Sequence, residues 1–214
     1  VAIDFPKIQV GMSKELLAQN DHLMGHYSVA QLPIVLLLDA AGHPYQWISY
    51  EKGGPRHYLE VLEKRRRHGF GFKAALALAM RKNGTERART IDDALVSLTE
   101  EMRSKNHDLM REIIKLDADG KAGLKRKYLA TVQLKDASVY LEGMLAKHME
   151  KGEGAQALAK LEAVIAQPKN PMHQQMALYL KGMIIMDTTR NVGDALAALG
   201  QALPLVREPV KLHG

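Results

Sequence analysis

Metal or acid–base chemistry in this chain would have to rest on histidines and carboxylates, because its 214 residues include no cysteine. That absence removes disulfides, thiolate metal sites and cysteine nucleophiles together. His22 and His26 stand four residues apart, so a helix would bring them to one face, where a weak zinc site is conceivable. None of the nine histidines belongs to an HExxH pattern, and the blander reading of an exposed or internally satisfied pair is preferred. Asp117-Ala118-Asp119-Gly120 invites a calcium reading. A calcium loop of the EF-hand kind needs a distal bidentate glutamate, and here Lys121, Lys125, Arg126 and Lys127 follow instead. The stretch reads as a helix-ending turn. No Gly-x-Ser-x-Gly elbow, phosphate loop or dinucleotide fingerprint is present, and "HGFGFK" reads as a connector. No catalytic residue, metal set or cofactor is assigned.

Charge narrows the partner classes. The net charge is +6, with basic residues spread along helical stretches. The densest run, Lys64-Arg65-Arg66-Arg67-His68, falls at the end of an expected helix, where cations complement the macrodipole. A solvated helix end is preferred over a nucleic-acid or lipid patch. Aromatic residues are scarce and not interleaved with the basic ones, which argues against a single-strand stacking platform. No run of about 18 apolar residues suggests a membrane span. Val1-Ala2-Ile3-Asp4-Phe5 reads as a strand rather than a signal peptide. A chain opening on Val1 reads as a mature form, an engineered piece or a fragment.

The elements that would position any site change character along the chain. Over the first 70 residues strands alternate with helices. Val1–Phe5 is a short apolar run closed by Pro6. Ser13 suits the cap of a helix over 14–26. Pro33 stands directly before Ile34-Val35-Leu36-Leu37-Leu38, the most strand-like run of all. Proline cannot donate to a ladder, so its place is the first position of a strand or an edge. Asp39-Ala40-Ala41-Gly42 is a turn signal, and a second strand is expected over Tyr45–Tyr50, antiparallel to the first because the connection is short. Gly53-Gly54 ends it, and Pro55 suits the first turn of a helix that stops at Gly69.

Beyond residue 70 the strand signals vanish. Thr90 with Asp93 resembles a capping box, and one long helix is expected from Ile91 to about Leu116. Further helices are expected over 123–150, 154–167, 171–187 and 192–204, separated by Gly152, Pro168, Pro171 and Gly193. The reading is an α/β portion over 1–70, a linker or helix over 71–89, and an all-α domain over 90–214.

The stretch "NDHLMGHYSVAQLPIVLLLDAAGHPYQWISYEKGG" resembles the C-terminal half of thioredoxin-like domains, particularly bacterial members with extended tails. The shared order is strand, helix, Tyr27-x-Val29-x-x-x-Pro33, strand, glycine turn, strand, Gly53-Gly54, helix. It covers about residues 1–68. The resemblance implies a cis proline at position 33, whose loop meets an extended substrate strand. It implies polypeptide contact at Gln31, Leu32 and Pro33, with Gly53 and Gly54 nearby. It also implies a periplasmic or secreted setting, with the cytoplasm left open. The departure is as informative: the β-α-β half that carries Cys-x-x-Cys has no counterpart here. Thiol–disulfide exchange needs an attacking thiolate, so the chain as given is expected to be redox-inactive. The Val1–Phe5 and Ile34–Leu38 faces are expected to need cover from the helical tail, a second copy or a missing N-terminal half.

"ALYLKGMIIMDTTRNVGDALAALGQAL" resembles a tetratricopeptide-type hairpin, through Tyr179, Gly182, Ala195, Leu199 and Ala202. "GEGAQALAKLEAVIAQ" resembles the second helix of another. The fold class expected is therefore a partial thioredoxin-like β-α-β-β-α unit followed by a bundle of tetratricopeptide-like hairpins. The function expected is polypeptide binding within a thiol–disulfide oxidoreductase-like protein. A non-enzymatic helical scaffold is the alternative, and a basic nucleic-acid or membrane-surface binder is a third reading.

Overall fold

The structure, a computed structural model, describes residues 12–29 and 32–205. The expected strand Val1–Phe5 lies outside the described residues. Among the described residues ten helices and two strands follow one another: α1 Lys14–Tyr27, β1 Ile34–Leu38, β2 Pro44–Ser49, α2 Gly54–His68, α3 Phe70–Ala79, α4 Gly84–Val96, α5 Glu100–Ser104, α6 His107–Leu116, α7 Leu124–Glu150, α8 Gly154–Ala166, α9 Pro171–Thr188 and α10 Val192–Ala202. A 3-10 turn over Leu203–Leu205 closes the series. The fold is mixed α/β, mainly helical, with one two-stranded antiparallel sheet among the described residues. The chain divides into two compact units, Val1–Tyr128 and Leu129–Gly214.

In the first unit, Ser13 caps α1 by accepting from the Leu16 N–H. Ile34 faces Ser49 and Leu36 faces Trp47 across the hairpin. The register slips between Leu37 and Leu38, so a β-bulge precedes the turn. Asp39 builds that turn: one carboxylate oxygen accepts from the Ala41 and His43 N–H groups, and the other meets His43 Nδ1 at 2.9 Å. The core gathers Phe72, Ile91, Leu95, Met102 and Ile113, each no more than 1% exposed. Burying such side chains supplies roughly 1.5–3 kcal/mol each.

Three expectations are corrected here. The single helix expected over 91–116 is three helices. Ser97 Oγ donates to the Ala94 carbonyl, Thr99 caps α5 by accepting from the Met102 N–H, and Arg103 folds back onto the Leu95 and Leu98 carbonyls. These bonds satisfy the end of α4 without continuing it. Thr90 is not a cap, because α4 already starts at Gly84 and Thr90 Oγ1 donates to the Glu86 carbonyl within the helix. The Gly69–Phe72 stretch, read above as a connector, opens α3 and buries Phe72.

Asp117 is fully buried and organises the turn before α7. Its two carboxylate oxygens accept from the Ala122 and Lys125 N–H groups, both at 2.9 Å. The Asp117–Gly120 stretch is thus a helix-to-helix turn, and no group of three or more metal-binding side chains is found among the described residues.

In the second unit, Leu141 and Leu145 of α7, Ala157 and Leu161 of α8, and Ala177 and Ile184 of α9 form one buried cluster. Gly182 lets α9 and α10 approach closely. A Cβ there would lie 3.0 Å from Leu199 Cγ and 3.2 Å from the Ala195 carbonyl oxygen.

Candidate functional site

The polypeptide-contact residues read from the sequence fall at one end of the hairpin. Ile34 pairs with Ser49, so the Leu32–Pro33 approach to β1 and the Tyr50–Gly54 exit from β2 leave from the same end. The Leu32–Pro33 bond is cis, the isomer the resemblance implied. Gln31 lies outside the described residues. Leu32 is 51% exposed and Tyr50 is 73% exposed, an apolar pair open to solvent. Gly53 and Gly54 carry positive φ, +137° and +76°, and turn the chain from β2 into α2. A side chain at Gly53 would collide with the His57 ring.

The approach to Pro33 is held from behind. α1 ends at Tyr27, and Ser28 turns left-handed at φ 50°. Lys105 Nζ donates to the Tyr27 and Ser28 carbonyls at 3.0 and 2.7 Å, placing a cation on the negative end of the helix. The Tyr27 hydroxyl donates to the Gly42 carbonyl at 3.2 Å, tying α1 to the opposite end of the hairpin. Burial, with the charges of Asp108 and Asp39, raises the Tyr27 phenol above its ordinary range. Burial pushes the Asp39 carboxyl up, but the bonds from His43 and the Ala41 N–H outweigh it and leave the group below the usual carboxylate range.

The two edges of the hairpin differ. Beside β2 stand Asn106, whose amide donates to the Pro44 and Met102 carbonyls at 2.8 Å, and Glu101, whose carboxylate accepts from Trp47 Nε1 at 2.8 Å. The Trp47 backbone N–H is taken by the Gln46 side-chain oxygen at 3.1 Å. Beside β1, no second strand stands among the described residues. Antiparallel pairing alternates, so every second residue of β1 turns its N–H and C=O away from β2. Val35 and Leu38 are 41% and 37% exposed, so the cover expected over this strand is incomplete among the described residues.

Sequence reasoning misses Lys105, Asn106, Glu101 and Trp47. Their contacts span 54 to 78 residues of chain, and the three outside β2 lie inside the stretch read as an unbroken helix. The two glycines and Leu32–Pro33, by contrast, are legible from turn chemistry.

The basic run 64–68 ends α2, as expected, but carboxylates share that helix. Arg66 pairs with Glu63 at 3.0 Å and Arg56 with Glu60 at 3.7 Å. The exposed face mixes Arg56, Glu60, Glu63, Lys64 and Arg67 around Leu59. His22 and His26 stack at a centroid distance of 6.0 Å on α1, with no third ligand in reach among the described residues. No helix of the described residues is long and apolar enough to cross a membrane.

No family model, no curated protein and no solved structure matches this chain.

Proposed function

We propose that this protein binds extended polypeptide along the open edge of β1, with the Leu32–Pro33 turn as the point of approach. The observation that carries the reading is the asymmetry of the hairpin. β2 is flanked by Asn106 and Glu101, while β1 leaves an uncharged Ile-Val-Leu-Leu-Leu edge without a second strand among the described residues. Such an edge is a template for an added strand, because unpaired main-chain groups give affinity whatever the side chains of the visitor. Gln31, Leu32, Pro33, Gly53 and Gly54 are the contact residues proposed. The resemblance to thioredoxin-like domains supports the same site and a periplasmic or secreted setting. In a protein that also held Cys-x-x-Cys, this part would present substrate to the thiolate. This chain itself has no thiol to contribute.

A second reading is a helical scaffold, favoured by the close α9–α10 approach at Gly182, which suits a tetratricopeptide-like hairpin. The test separates them. A reduced and alkylated, permanently unfolded protein serves as the probe in fluorescence anisotropy. Micromolar binding is expected, weakened at least tenfold by Val35→Lys or Leu32→Asp with an unchanged circular dichroism spectrum. Equal binding by both variants and the parent would overturn the strand-edge reading and leave the scaffold.

A further inference from the structure

His173 is a buried titratable side chain with no part in the proposed site. It occupies the third position of α9, and its own N–H donates to the capping Asn170 at 2.9 Å. The ring is 5% exposed in the second unit. Its Nδ1 accepts the Lys169 backbone N–H at 3.4 Å, so the proton of the neutral ring sits on Nε2. Nε2 is buried and finds no partner among the described residues. From α7, the Tyr140 ring packs against it at 5.6 Å, tilted by 45°. From the α8–α9 turn, Lys169 lays its ammonium 4.1 Å over that same Tyr140 ring. Gln174 beside it is neutral and donates to the Ile165 carbonyl. No carboxylate accepts a bond from the ring among the described residues.

Adding a proton to this ring conflicts with each of its surroundings. The new Nδ1–H would face the Lys169 N–H, donor against donor. A cation would sit in the first turn of a helix, whose N-terminal end is already positive. The Nε2–H would become a stronger donor with nothing to accept it.

We propose that His173 is a proton-operated latch on the start of α9: neutral, it holds the first turn against Tyr140 of α7, and protonated, it leaves that seat and loosens the turn. Burial, and then the charge of Lys169, hold its titration below that of a free imidazole. The sign follows. A group whose folded pKa is depressed contributes stability above its unfolded pKa and loses it as pH falls toward the folded value, about tenfold in the equilibrium per unit of pKa difference.

The test is amide hydrogen exchange of residues 172–176 in the full chain between pH 7.5 and pH 5, corrected for intrinsic exchange. A rise of a few-fold in opening is expected for the parent and a flat profile for His173→Gln. An equal rise in both overturns the latch. Should His173→Gln fail to fold, an NMR titration of the parent decides. A slow-exchanging buried histidine titrating below the solvent-exposed ones supports the latch, and one titrating at or above them overturns it.

Discussion

The ring of Tyr45 lies directly on the α-carbon of Gly69. A Cβ built on Gly69 would overlap the Tyr45 ring atoms, well inside van der Waals contact. The glycine is needed for space: its φ of −79° suits any residue. Tyr45 is 6% exposed and meets the Phe72 ring at 6.5 Å, so it has little room to withdraw. Gly69→Ala is expected to destabilise the first unit by about 1–3 kcal/mol through overpacking. Thermal unfolding would show it, and in a Tyr45→Ala background, itself destabilised by the lost ring, Gly69→Ala should cost much less. An unchanged midpoint for the single variant would refute the contact.

Asn106 joins α5 to the start of β2 through two bonds from one amide nitrogen. Asn106→Ala leaves the buried Pro44 carbonyl without that donor and is expected to cost about 1–3 kcal/mol. Faster amide exchange in β2 than in α9 would localise the damage. A uniform change across both units would not fit.

Two glycines of the second unit make opposite predictions. Gly182→Ala presses a methyl between Leu199 and the Ala195 carbonyl, and is expected to destabilise by about 1–3 kcal/mol. Gly143 lies within α7, where an added Cβ would meet nothing within 4 Å, so Gly143→Ala is expected to stabilise by about 0.5–1 kcal/mol. Denaturant midpoints of the two variants should move apart.

Asp117 gives the first unit an acid-sensitive turn. The bonds from the Lys125 and Ala122 N–H groups hold its carboxyl below the usual range. Its stabilising effect is therefore complete above the unfolded value near 4 and fades as pH falls through the lower folded value. Asp117→Asn should lower stability at neutral pH and flatten the acid limb of the stability profile. An acid limb of unchanged steepness would show that other carboxylates govern it.

What the residues announce in advance is mostly local. Ser13 marks the start of α1, Asp39 and Gly42 mark the turn, and Pro171 and Gly152 separate the later helices where the structure separates them. These signals act within a few residues, and the chain obeys them. The breaks near Ser97 and Lys105 are hidden because the buried stripe of Ile91, Leu95, Leu98, Met102, Met110 and Ile113 runs across them with helix-like spacing. Hydrophobic spacing reports which residues go inside. It does not report that Arg103 will turn back onto the Leu95 carbonyl. The candidate site divides in the same way: its glycines and proline are visible, and the groups bracing it from α5 and beyond are not, because they meet it only after the chain has folded.

On the same proposed reading, the Asn106 and Glu101 contacts beside β2 would also limit how far pairing can spread. A fibril recruits without end only when every subunit offers two sticky borders, one to receive and one to pass on. On the reading proposed here, with β1 the one open border of the hairpin among the described residues, the hairpin would accept a single guest and then stop, so an association seeded at Val35 and Leu38 would be finite.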